Sequence, residues 1–305
     1  MTACRALHLG NRIGSEGGIA SVLAVLGRPT QVVHAHLSER GSFLREGLLA
    51  AVARLRRRRV VLTLHGAELA EFAAAHPRLV RTVLRQGHVV LALSEANAAQ
   101  ARALLPAGDV RVLPNPIVVP AAPPDLPSAP VVLFAGEQGR RKGLDVLVAA
   151  WPMVREQVPT AELLVAGVAA DVAVPDLPGV RDVGMLSRAQ VHDLVLQSRV
   201  CVLPSRFEVL PMFLLEAMSL GRAVVVTPVG GVPELVGDAG RTVPVGDAPA
   251  LATAISELLR DTQLAERLGA AAHARVSRTN STARVGRDLA EVYDRLCRPQ
   301  AGDVA

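Results

Sequence analysis

The sequence predicts an α/β protein with two domains, each built on a parallel β-sheet. Apolar strand-like runs alternate with helical stretches in both halves of the chain, a pattern typical of βα units. The 305 residues, half of them hydrophobic, are enough for two ordinary cores. A proline-rich segment separates the two halves, so we place one domain on either side of it.

The amino-terminal half, residues 1–120, predicts a small parallel sheet. Helical stretches near Ile19, Phe43, Pro77 and Glu95 separate its apolar runs. The predicted strands are 3–9, 31–35, 60–64, 88–93 and 110–113.

The linker is marked by proline. Seven of the 21 prolines lie between Pro114 and Pro130. Because proline fixes φ and has no N–H group, this stretch cannot sustain a helix or a central strand. We therefore predict a stiff, extended linker at residues 121–130.

The carboxyl-terminal half, from residue 131 to 278, predicts a second parallel α/β domain followed by a helical tail. Helices near Leu144, Ala189 and Met212 alternate with its strands. The predicted strands are 131–135, 161–166, 180–183, 200–203 and 223–227, and the tail helices are 249–259, 263–276 and 283–296.

The chain contains a single lysine, Lys142, and all its other Lys or Arg positions are arginine. Lys142 lies in a glycine-bearing loop after the first strand of the second half. Gly136 frees the backbone of this loop, and Gly143 opens a helix whose amides and dipole favour an anion. Lys142 would give a diphosphate a compact point charge, with Arg140 or Arg141 as a planar fork. The alternative is a solvated helix entry.

Two glutamates, Glu208 and Glu216, stand seven residues apart in the apolar segment 204–221. Pro211 suits a first helical turn, so residues 212–220 predict a short helix that carries Glu216. Ionised carboxylates accept hydrogen bonds from neighbouring hydroxyls, which suits a polyhydroxylated ligand. The alternative is that Glu208 is a solvated turn residue and Glu216 a surface helix residue.

Glycines and histidines also follow predicted strands. Gly17 and Gly18 form part of a glycine-rich turn that could accept a phosphate or admit a sugar. His65 follows the third run, where an imidazole could donate to a hydroxyl or orient an acceptor; a satisfied strand-end histidine is the alternative. For His34 and His36 we favour structural roles, with His36 the better placed to reach a ligand.

These motifs together resemble the family 4 retaining glycosyltransferases of GT-B architecture, in which two Rossmann-like, doubly wound parallel-sheet domains face a cleft. The amino half contributes GGIASVL, VVHAHLS, TLHGAE, ALSE and VLPNPI, and the carboxyl half contributes the KG loop at Lys142, LLVAG at 163–167, VGMLS at 183–187, the Glu208 and Glu216 pair, and VGGVPELV at 229–236. The resemblance implies that a C-terminal helix within 279–305 returns to the first domain. It also implies an amino-terminal domain shortened by about one strand–helix–strand unit between residues 26 and 32.

The resemblance implies an enzyme that transfers a sugar, with retention, from a nucleoside diphosphate sugar to a glycan or lipid-linked acceptor. Glu216 would hold the ribose hydroxyls and Glu208 the sugar hydroxyls, while Lys142 neutralises the diphosphate. The implied catalytic residues are His65, Lys142 and Glu208, and the implied donor-binding residues are Gly17, Gly18, Gly136, Arg140, Arg141, Lys142, Glu208, Val209, Leu210, Glu216, Gly230 and Gly231. No Asp-x-Asp box stands out, so we expect no metal and no other cofactor.

Two departures from the family pattern leave an alternative open. Glu137 occupies a position where the family commonly has arginine, and Val209 one where glycine often follows the first glutamate. With the shortened amino half, these favour a non-catalytic nucleotide-sugar-binding protein or a degenerate partner subunit as the alternative function.

Composition limits the class of partner and the compartment. Aromatic residues make up only 2% of the chain, so base-stacking surfaces are scarce and nucleic acid is not an expected partner. Three widely separated cysteines indicate a reducing compartment, with no disulfide and no zinc expected. The apolar runs lack the uncharged length of a membrane span, so we expect a cytoplasmic protein.

Positive charge is concentrated in the amino half. Residues 1–120 hold 15 arginines against seven acidic residues, a net of +8, while the remainder carries −3. Arg56, Arg57, Arg58 and Arg59 are predicted to end a helix, where they either contact anionic lipid at the inner face of the membrane or complement the helix dipole.

Overall fold

The computed structural model describes residues 6–9, 30–38, 41–66 and 69–298. The chain divides into two compact units. Unit 1 comprises Met1–Pro114 and Val285–Ala305, and unit 2 comprises Asn115–Arg284. The proposed shortening of the amino half lies mostly outside the described residues.

Unit 1 contains a five-stranded, all-parallel sheet in the order β1-β2-β3-β4-β5. Its strands are rich in valine, leucine and alanine on both faces, as expected for a parallel sheet covered on two sides. The strands are β1 (Ala6–Leu9), β2 (Val32–Leu37), β3 (Arg59–Leu64), β4 (Val89–Ala92) and β5 (Val110–Val112).

Helices cover both faces of this sheet. The first face packs on side chains such as Phe43, Leu49 and Val80 from the helices that alternate with the strands. The second face packs on Val285 and Val292 of the last helix. The helices are α1 (Gly41–Leu55), α2 (Leu69–Ala75), α3 (Pro77–Leu84), α4 (Glu95–Leu104) and, at the carboxyl end of the chain, α11 (Thr282–Cys297).

The arginine tract ends helix α1, as predicted. Helix α1 stops at Leu55, Arg56 and Arg57 form a turn, and Arg59 is the first residue of β3. The N–H groups of Arg56, Arg57 and Arg58 donate to the carbonyls of Val52, Arg54 and Ala53, so the tract closes the last turn of α1 and leads into β3.

Unit 2 contains a six-stranded parallel sheet in the order β11-β10-β9-β6-β7-β8. The strand order reverses between β6 and β9: the chain builds outward from β6 in one direction and then from β9 in the other. The strands are β6 (Val131–Ala135), β7 (Glu162–Ala166), β8 (Val180–Gly184), β9 (Val200–Leu203), β10 (Ala223–Val226) and the unpredicted β11 (Arg241–Thr242).

The helices of unit 2 build its main core around Trp151 of α5, whose indole Nε1 donates to the carbonyl of Pro178 at 3.0 Å. The three helices of the predicted tail are present. The bounds are α5 (Leu144–Gln157), α6 (Arg188–Gln197), α7 (Met212–Ser219), α8 (Val232–Val236), α9 (Ala248–Arg260) and α10 (Thr262–Thr279), with a 3-10 turn at Arg140–Lys142.

The proline-rich segment is held by two buried arginines. Arg222 donates to the carbonyls of Pro124 and Asp125 at 2.8–3.0 Å. Arg199 donates to Pro127 at 3.2 Å and also to Ser128. Because prolines donate no backbone hydrogen bond, the carbonyls of this stretch are left to side-chain donors, and the segment lies within unit 2.

The two described cysteines differ in their chemical state. Cys201 is a free, fully buried thiol, and burial raises its pKa to about 12. Cys297 is disulfide-bonded, so the expectation of no disulfide was wrong for this residue; widely spaced cysteines along the chain say nothing about their distance in the fold.

Among the described residues, no helix combines the length and the apolar character needed to cross a bilayer.

Candidate functional site

The residues predicted to bind the sugar donor in unit 2 lie in loops at the carboxyl ends of its central strands. The Lys142 loop follows β6 and the Glu208 loop follows β9. These strands are neighbours at the point where the strand order reverses. Ligands of open α/β sheets bind in the crevice beside such a reversal, so the topology itself places a site here.

Lys142 and Glu208 meet at this point. Lys142 Nζ donates to Glu208 Oε1 at 2.7 Å, and the hydroxyl of Ser205 donates to the same oxygen at 2.7 Å. The Glu208 side chain is only 6% exposed and that of Lys142 16%. A buried carboxylate with two donors is not a solvated turn residue, so that alternative reading of Glu208 was wrong.

A glycine fixes how closely the two loops approach. Gly143 has φ +75°, in the left-handed region, and a Cβ there would lie 1.9 Å from the carbonyl oxygen of Pro204. The N–H of Arg206 also donates to the carbonyl of Arg141 at 2.9 Å. Because only glycine allows both this φ and this contact, Lys142 is held within reach of the loop that carries Glu208.

An ion pair that the sequence analysis did not identify joins the same loops. Arg206 donates to both carboxylate oxygens of Asp145 at 2.7 and 2.9 Å. The hydrogen bond from Arg206 is the largest cause that lowers the pKa of Asp145. Such a two-point pair fixes orientation as well as distance, so it positions the start of α5 against the Glu208 loop.

The arginines beside Lys142 are exposed and differently placed. Arg141 Nη2 lies 3.2 Å from Glu137 Oε2. Glu137 stands where the family commonly has an arginine, and its carboxylate also forms an ion pair with Arg141. The N–H of Arg140 donates to Asp171 at 2.9 Å, and its guanidinium forms no ion pair with any described residue. Arg140 is therefore the cation more readily available to a ligand.

The glycine pair after β10 lies against the Glu208 loop. Gly230 has φ +54°, and a Cβ there would lie 1.8 Å from the carbonyl oxygen of Glu208. The N–H of Gly231 donates to the carbonyl of Val209 at 2.9 Å. A side chain at position 230 would push the two loops apart, so Gly230 is needed for the close contact between its own loop and the Glu208 loop.

Glu216 lies on α7, as predicted, and is partly buried. Its side chain is 20% exposed, and Arg188 Nη2 lies 3.9 Å from its Oε1. Burial raises the pKa of Glu216, against the opposing effects of Arg188 and His192. Glu216 therefore lies at a rim, where hydroxyl donors of a ligand would stabilise its ionised form.

The histidines predicted in unit 1 form a second group, which we call the histidine cluster: His8, His34, His36 and His65 together with Tyr293 of α11. His36 Nδ1 lies 2.8 Å from His65 Nε2. His34 lies between Tyr293 Oη and Thr63 Oγ1, at 2.6 Å from each. His34 is buried with a partner at each ring nitrogen, which agrees with the structural role favoured for it, while His65 and His36 contact each other.

Burial and mutual repulsion keep His34, His36 and His65 of this cluster uncharged. Burial, with smaller effects from His65 and His8, lowers the pKa of His36 to about 4. Burial also lowers the pKa of His65 and, more strongly, that of His34. Within the described residues, His8, His34 and His36 are the group whose side chains could hold a metal, since their ligand atoms lie within 4.8 Å of one another.

The structure thus brings Lys142 and Glu208 into contact and places Gly136, Gly230 and Gly231 around them. A Cβ at Gly136 would lie 3.8 Å from the Lys142 side chain. His65 belongs to unit 1, where it contacts His36 in the histidine cluster. Gly17 and Gly18 lie outside the described residues.

Sequence reasoning missed three contributors. Ser205 lies three residues before Glu208 and could have been noticed as the hydroxyl nearest that carboxylate. Asn115, which donates to the carbonyl of Leu210 at 3.3 Å, carried no local signal. Tyr293 is the only tyrosine of the chain, a rarity that could have drawn attention to it.

Two family models match the chain. A glycosyl transferase 4-like domain matches residues 4–116, and the model described as glycosyl transferases group 1 matches residues 129–261. The two matches follow one another along the chain and together span most of it.

Relatives of known name are also similar to this chain in sequence. The chain is 30% identical over 180 residues to alpha-D-kanosaminyltransferase of Streptomyces kanamyceticus, covering 55% of this chain and 46% of that protein. It is 32% identical over 193 residues to alpha-maltose-1-phosphate synthase of Mycobacterium tuberculosis, covering 56% and 49%. The matched region therefore spans about half the length of these relatives.

Solved structures share the fold. Sucrose-phosphate synthase from Thermosynechococcus elongatus superimposes with a TM-score of 0.74 at 24% identity, covering 89% of this chain and 75% of that one. HepE of Anabaena, solved in complex with UDP, gives 0.73 at 20% identity, covering 90% and 81%. With two parallel-sheet domains and glycosyl transferase models in both halves, the chain belongs to the group 1, family 4 glycosyltransferases of GT-B fold.

Proposed function

We propose that this protein is a retaining glycosyltransferase that moves a sugar from a nucleoside diphosphate sugar to a glycan or lipid-linked acceptor. The observation that carries the proposal is the buried contact between Lys142 and Glu208 at the strand-order reversal of unit 2. The names of the relatives, and the UDP and UDP-glucose in the HepE structures, support this class of donor.

The geometry leaves both partners able to bind a donor. One N–H of Lys142 is used by Glu208, and its other two can face a diphosphate. Glu208 Oε1 takes both internal hydrogen bonds, which leaves Oε2 as an acceptor for sugar hydroxyls. Glu216 would take the ribose hydroxyls, and Arg140 would add a second cation at the phosphates.

In the proposed reaction the bond from the anomeric carbon to the β-phosphate oxygen breaks, and its electron pair leaves with the diphosphate. An acceptor hydroxyl attacks the same face of the sugar and gives its proton to the departing phosphate oxygen. Lys142 stabilises the charge that develops on the diphosphate, which is where preorganised donors contribute most. His65, neutral because of burial, would orient a hydroxyl.

We also propose that the reaction needs no metal. Lys142, Arg140 and the amides at the start of α5 would replace a metal at the diphosphate. Transfer should then be unchanged in EDTA. A loss of activity that a divalent cation restores would contradict this proposal.

The rival function is a non-catalytic nucleotide-sugar-binding protein or degenerate partner. The ion pair between Glu137 and Arg141 favours it, because that pair removes a cation from the phosphate side of the site. Donor hydrolysis separates the two: an enzyme slowly releases nucleoside diphosphate without an acceptor, and the rival binds the donor and leaves it intact.

For the acceptor side, we propose a peripheral contact with an anionic membrane through Arg56, Arg57, Arg58 and Arg59, at the cytoplasmic face. Arg56 and Arg57 are exposed. Each cation near an anionic surface contributes about 1 kcal/mol. Co-sedimentation with phosphatidylglycerol vesicles that high salt abolishes would support this contact.

The first experiment measures thermal stability and product release across UDP-, GDP- and dTDP-sugars, with and without EDTA. A donor at a hundred times its dissociation constant adds about 2.7 kcal/mol of stability. A stabilising donor that is also hydrolysed supports the enzyme and identifies its base and sugar. A panel without any stabilising donor would contradict both the enzyme and its rival.

A further inference from the structure

Unit 1 contains a pocket of about 490 Å³ that neither the donor site nor the histidine cluster uses. It lies at the amino ends of the strands: Gln31 directly precedes β2, Arg59 begins β3 and His88 directly precedes β4. In a parallel sheet this is the edge opposite to the carboxyl ends that carry His36 and His65. The residues that line it are Gln31, Arg54, Arg57, Arg58, Arg59, His88, Leu296, Cys297 and Arg298.

The lining of this arginine pocket is strongly cationic. Of its nine lining residues within the described part of the chain, five are arginines and none is acidic. Burial, followed by the charges of Arg54 and Arg59, lowers the pKa of His88 to about 4, so this ring stays neutral and adds no charge to the arginines. Clustered guanidinium groups repel one another, so a bound anion would stabilise this arrangement.

Two guanidinium donors of the pocket, Arg54 Nη1 and Arg58 Nε, are poorly matched with acceptors. The N–H of Val60 donates to His88 Nδ1 at 2.9 Å, so the neutral ring carries its own proton on Nε2. Arg54 Nη1, also a donor, lies 2.6 Å from that Nε2. Arg58 Nε is buried and has no hydrogen-bond partner. An oxygen-rich anion would supply the acceptors that these donors need.

Backbone strain supports the same interpretation. Arg57 is the one residue other than glycine with positive φ in the described chain, at 55°. Its N–H donates to Arg54 and that of Arg58 to Ala53, the two bonds of a Schellman motif, whose left-handed position is usually glycine. An arginine at such a position carries backbone strain, which favours a role for its side chain.

We propose that the arginine pocket binds a phosphorylated ligand through a phosphomonoester or diphosphate group. Planar guanidinium forks match the geometry of phosphate oxygens, and several of them suit a doubly or multiply charged anion better than a single carboxylate. The site does not depend on the sugar-transfer proposal. The phosphate could belong to a soluble metabolite or to a phospholipid headgroup.

The test is calorimetric titration of the full chain with inorganic pyrophosphate. Because the donor site is itself expected to bind a diphosphate, the titration is done in a Lys142→Ala background. The pocket variant is Arg58→Gln with Arg298→Gln. The matched control is Arg78→Gln with Arg85→Gln, which removes the same charge from exposed positions of unit 1 outside the pocket.

We expect one saturable site that weakens at least about tenfold in the pocket variant and stays within about twofold in the control, since phosphate bonds to arginine are charge-assisted. Arg57→Gly gives an independent check on folding. It relieves the strained backbone, so it should melt no lower than the parent protein while still weakening pyrophosphate binding. Absence of saturable binding, or equal weakening in the control, would overturn the proposal.

Vesicles then separate the two sources of phosphate. Sedimentation with phosphatidylcholine vesicles that contain phosphatidic acid, reversed by pyrophosphate and lost in the pocket variant, identifies a lipid headgroup. Pyrophosphate binding without such sedimentation identifies a soluble ligand. Either result upholds the pocket, whereas sedimentation with no saturable pyrophosphate binding assigns the arginines to general surface attraction and overturns it.

Discussion

The Lys142–Glu208 contact in unit 2 and the rings of His34, His36 and His65 with Tyr293 in unit 1 are both largely buried polar groups near the carboxyl ends of parallel strands, but different electrostatics hold them. The first joins two opposite charges from adjacent loops. The second joins neutral rings and a phenol, and burial keeps those rings uncharged. Removing the charge of Lys142 should therefore destabilise unit 2, whereas protonating the histidines should destabilise unit 1.

The largest effect is expected from removing the charge in unit 2. Lys142→Ala should lower kcat/KM on the donor sugar by roughly 100-fold or more, as for loss of one preorganised donor to a developing anion. It should also destabilise unit 2 by about 1–3 kcal/mol, because Glu208 keeps only Ser205 as a partner. Steady-state kinetics and denaturant unfolding measure the two effects.

Ser205→Ala is the matched control for that variant. It removes the other hydrogen bond to Glu208 and leaves the cation in place. We expect a comparable loss of stability with a much smaller loss of rate. Activity of Lys142→Ala within about threefold of the parent protein would exclude Lys142 from transition-state stabilisation.

Acid should act on unit 1 instead. A histidine whose pKa is lowered on folding gives stability that is complete above its unfolded pKa and is lost as pH falls through the folded one. For His36 the window runs from 6.5 down to about 4, a loss on the order of 3 kcal/mol by the lower limit. Hydrogen exchange of β2 amides against β9 amides, measured across this window, should show unit 1 opening first.

His36→Asn should flatten this pH dependence. His192→Gln, an exposed histidine of unit 2, is the control and should leave it unchanged. Equal acid sensitivity of β2 and β9 would show that the histidine cluster does not govern stability in this range.

A smaller effect is expected when only a neutral hydrogen bond is removed. Tyr293→Phe deletes the hydroxyl that lies 2.6 Å from His34 Nδ1 and 3.1 Å from His8 Nε2, and keeps the ring. Unit 1 should lose about 1–2 kcal/mol, the cost of leaving a buried polar atom without its partner. Thermal unfolding measures it, and unchanged stability would mean that water replaces the phenol.

The smallest effect on stability should come from replacing Glu216 of unit 2, whose ionised form is disfavoured by burial. Its raised pKa means that the folded state holds the proton more tightly, so its contribution to stability falls as pH rises above 4.5. Glu216→Gln should therefore raise Tm slightly at pH 7 and not at pH 4. Donor binding should weaken by about tenfold if Glu216 holds the ribose, since bonds to a charged acceptor are the stronger ones.

Much of unit 2 could be predicted because its signals are local. Lys142 and Glu208 each lie in the segment after an apolar strand, and the carboxyl ends of neighbouring parallel strands bring such segments together. Strands β6 and β9 were predicted at their observed limits, because continuous apolar runs between turns leave little choice of register. Strand β11, with only two residues, was too short to show a pattern.

Other features depend on contacts that no local pattern shows. Tyr293 meets His34 across 259 residues of sequence, so neither residue indicates the other. Likewise, the left-handed Arg57 contradicts ordinary residue preference and could be seen only in the backbone. Ser205 was missed for a different reason, since a hydroxyl beside a proline is more often a simple turn residue.

The position of helix α11 has a consequence for biosynthesis. Val285 and Val292 cover the face of β2 and β3 formed by Val32 and Val61, yet they leave the ribosome some 250 residues later. At about 5–20 residues per second, the first sheet waits on the order of 10–50 s with that apolar face uncovered. Unit 2 can mature during this interval, so the nascent amino-terminal sheet is the stage at which chaperones should engage the chain.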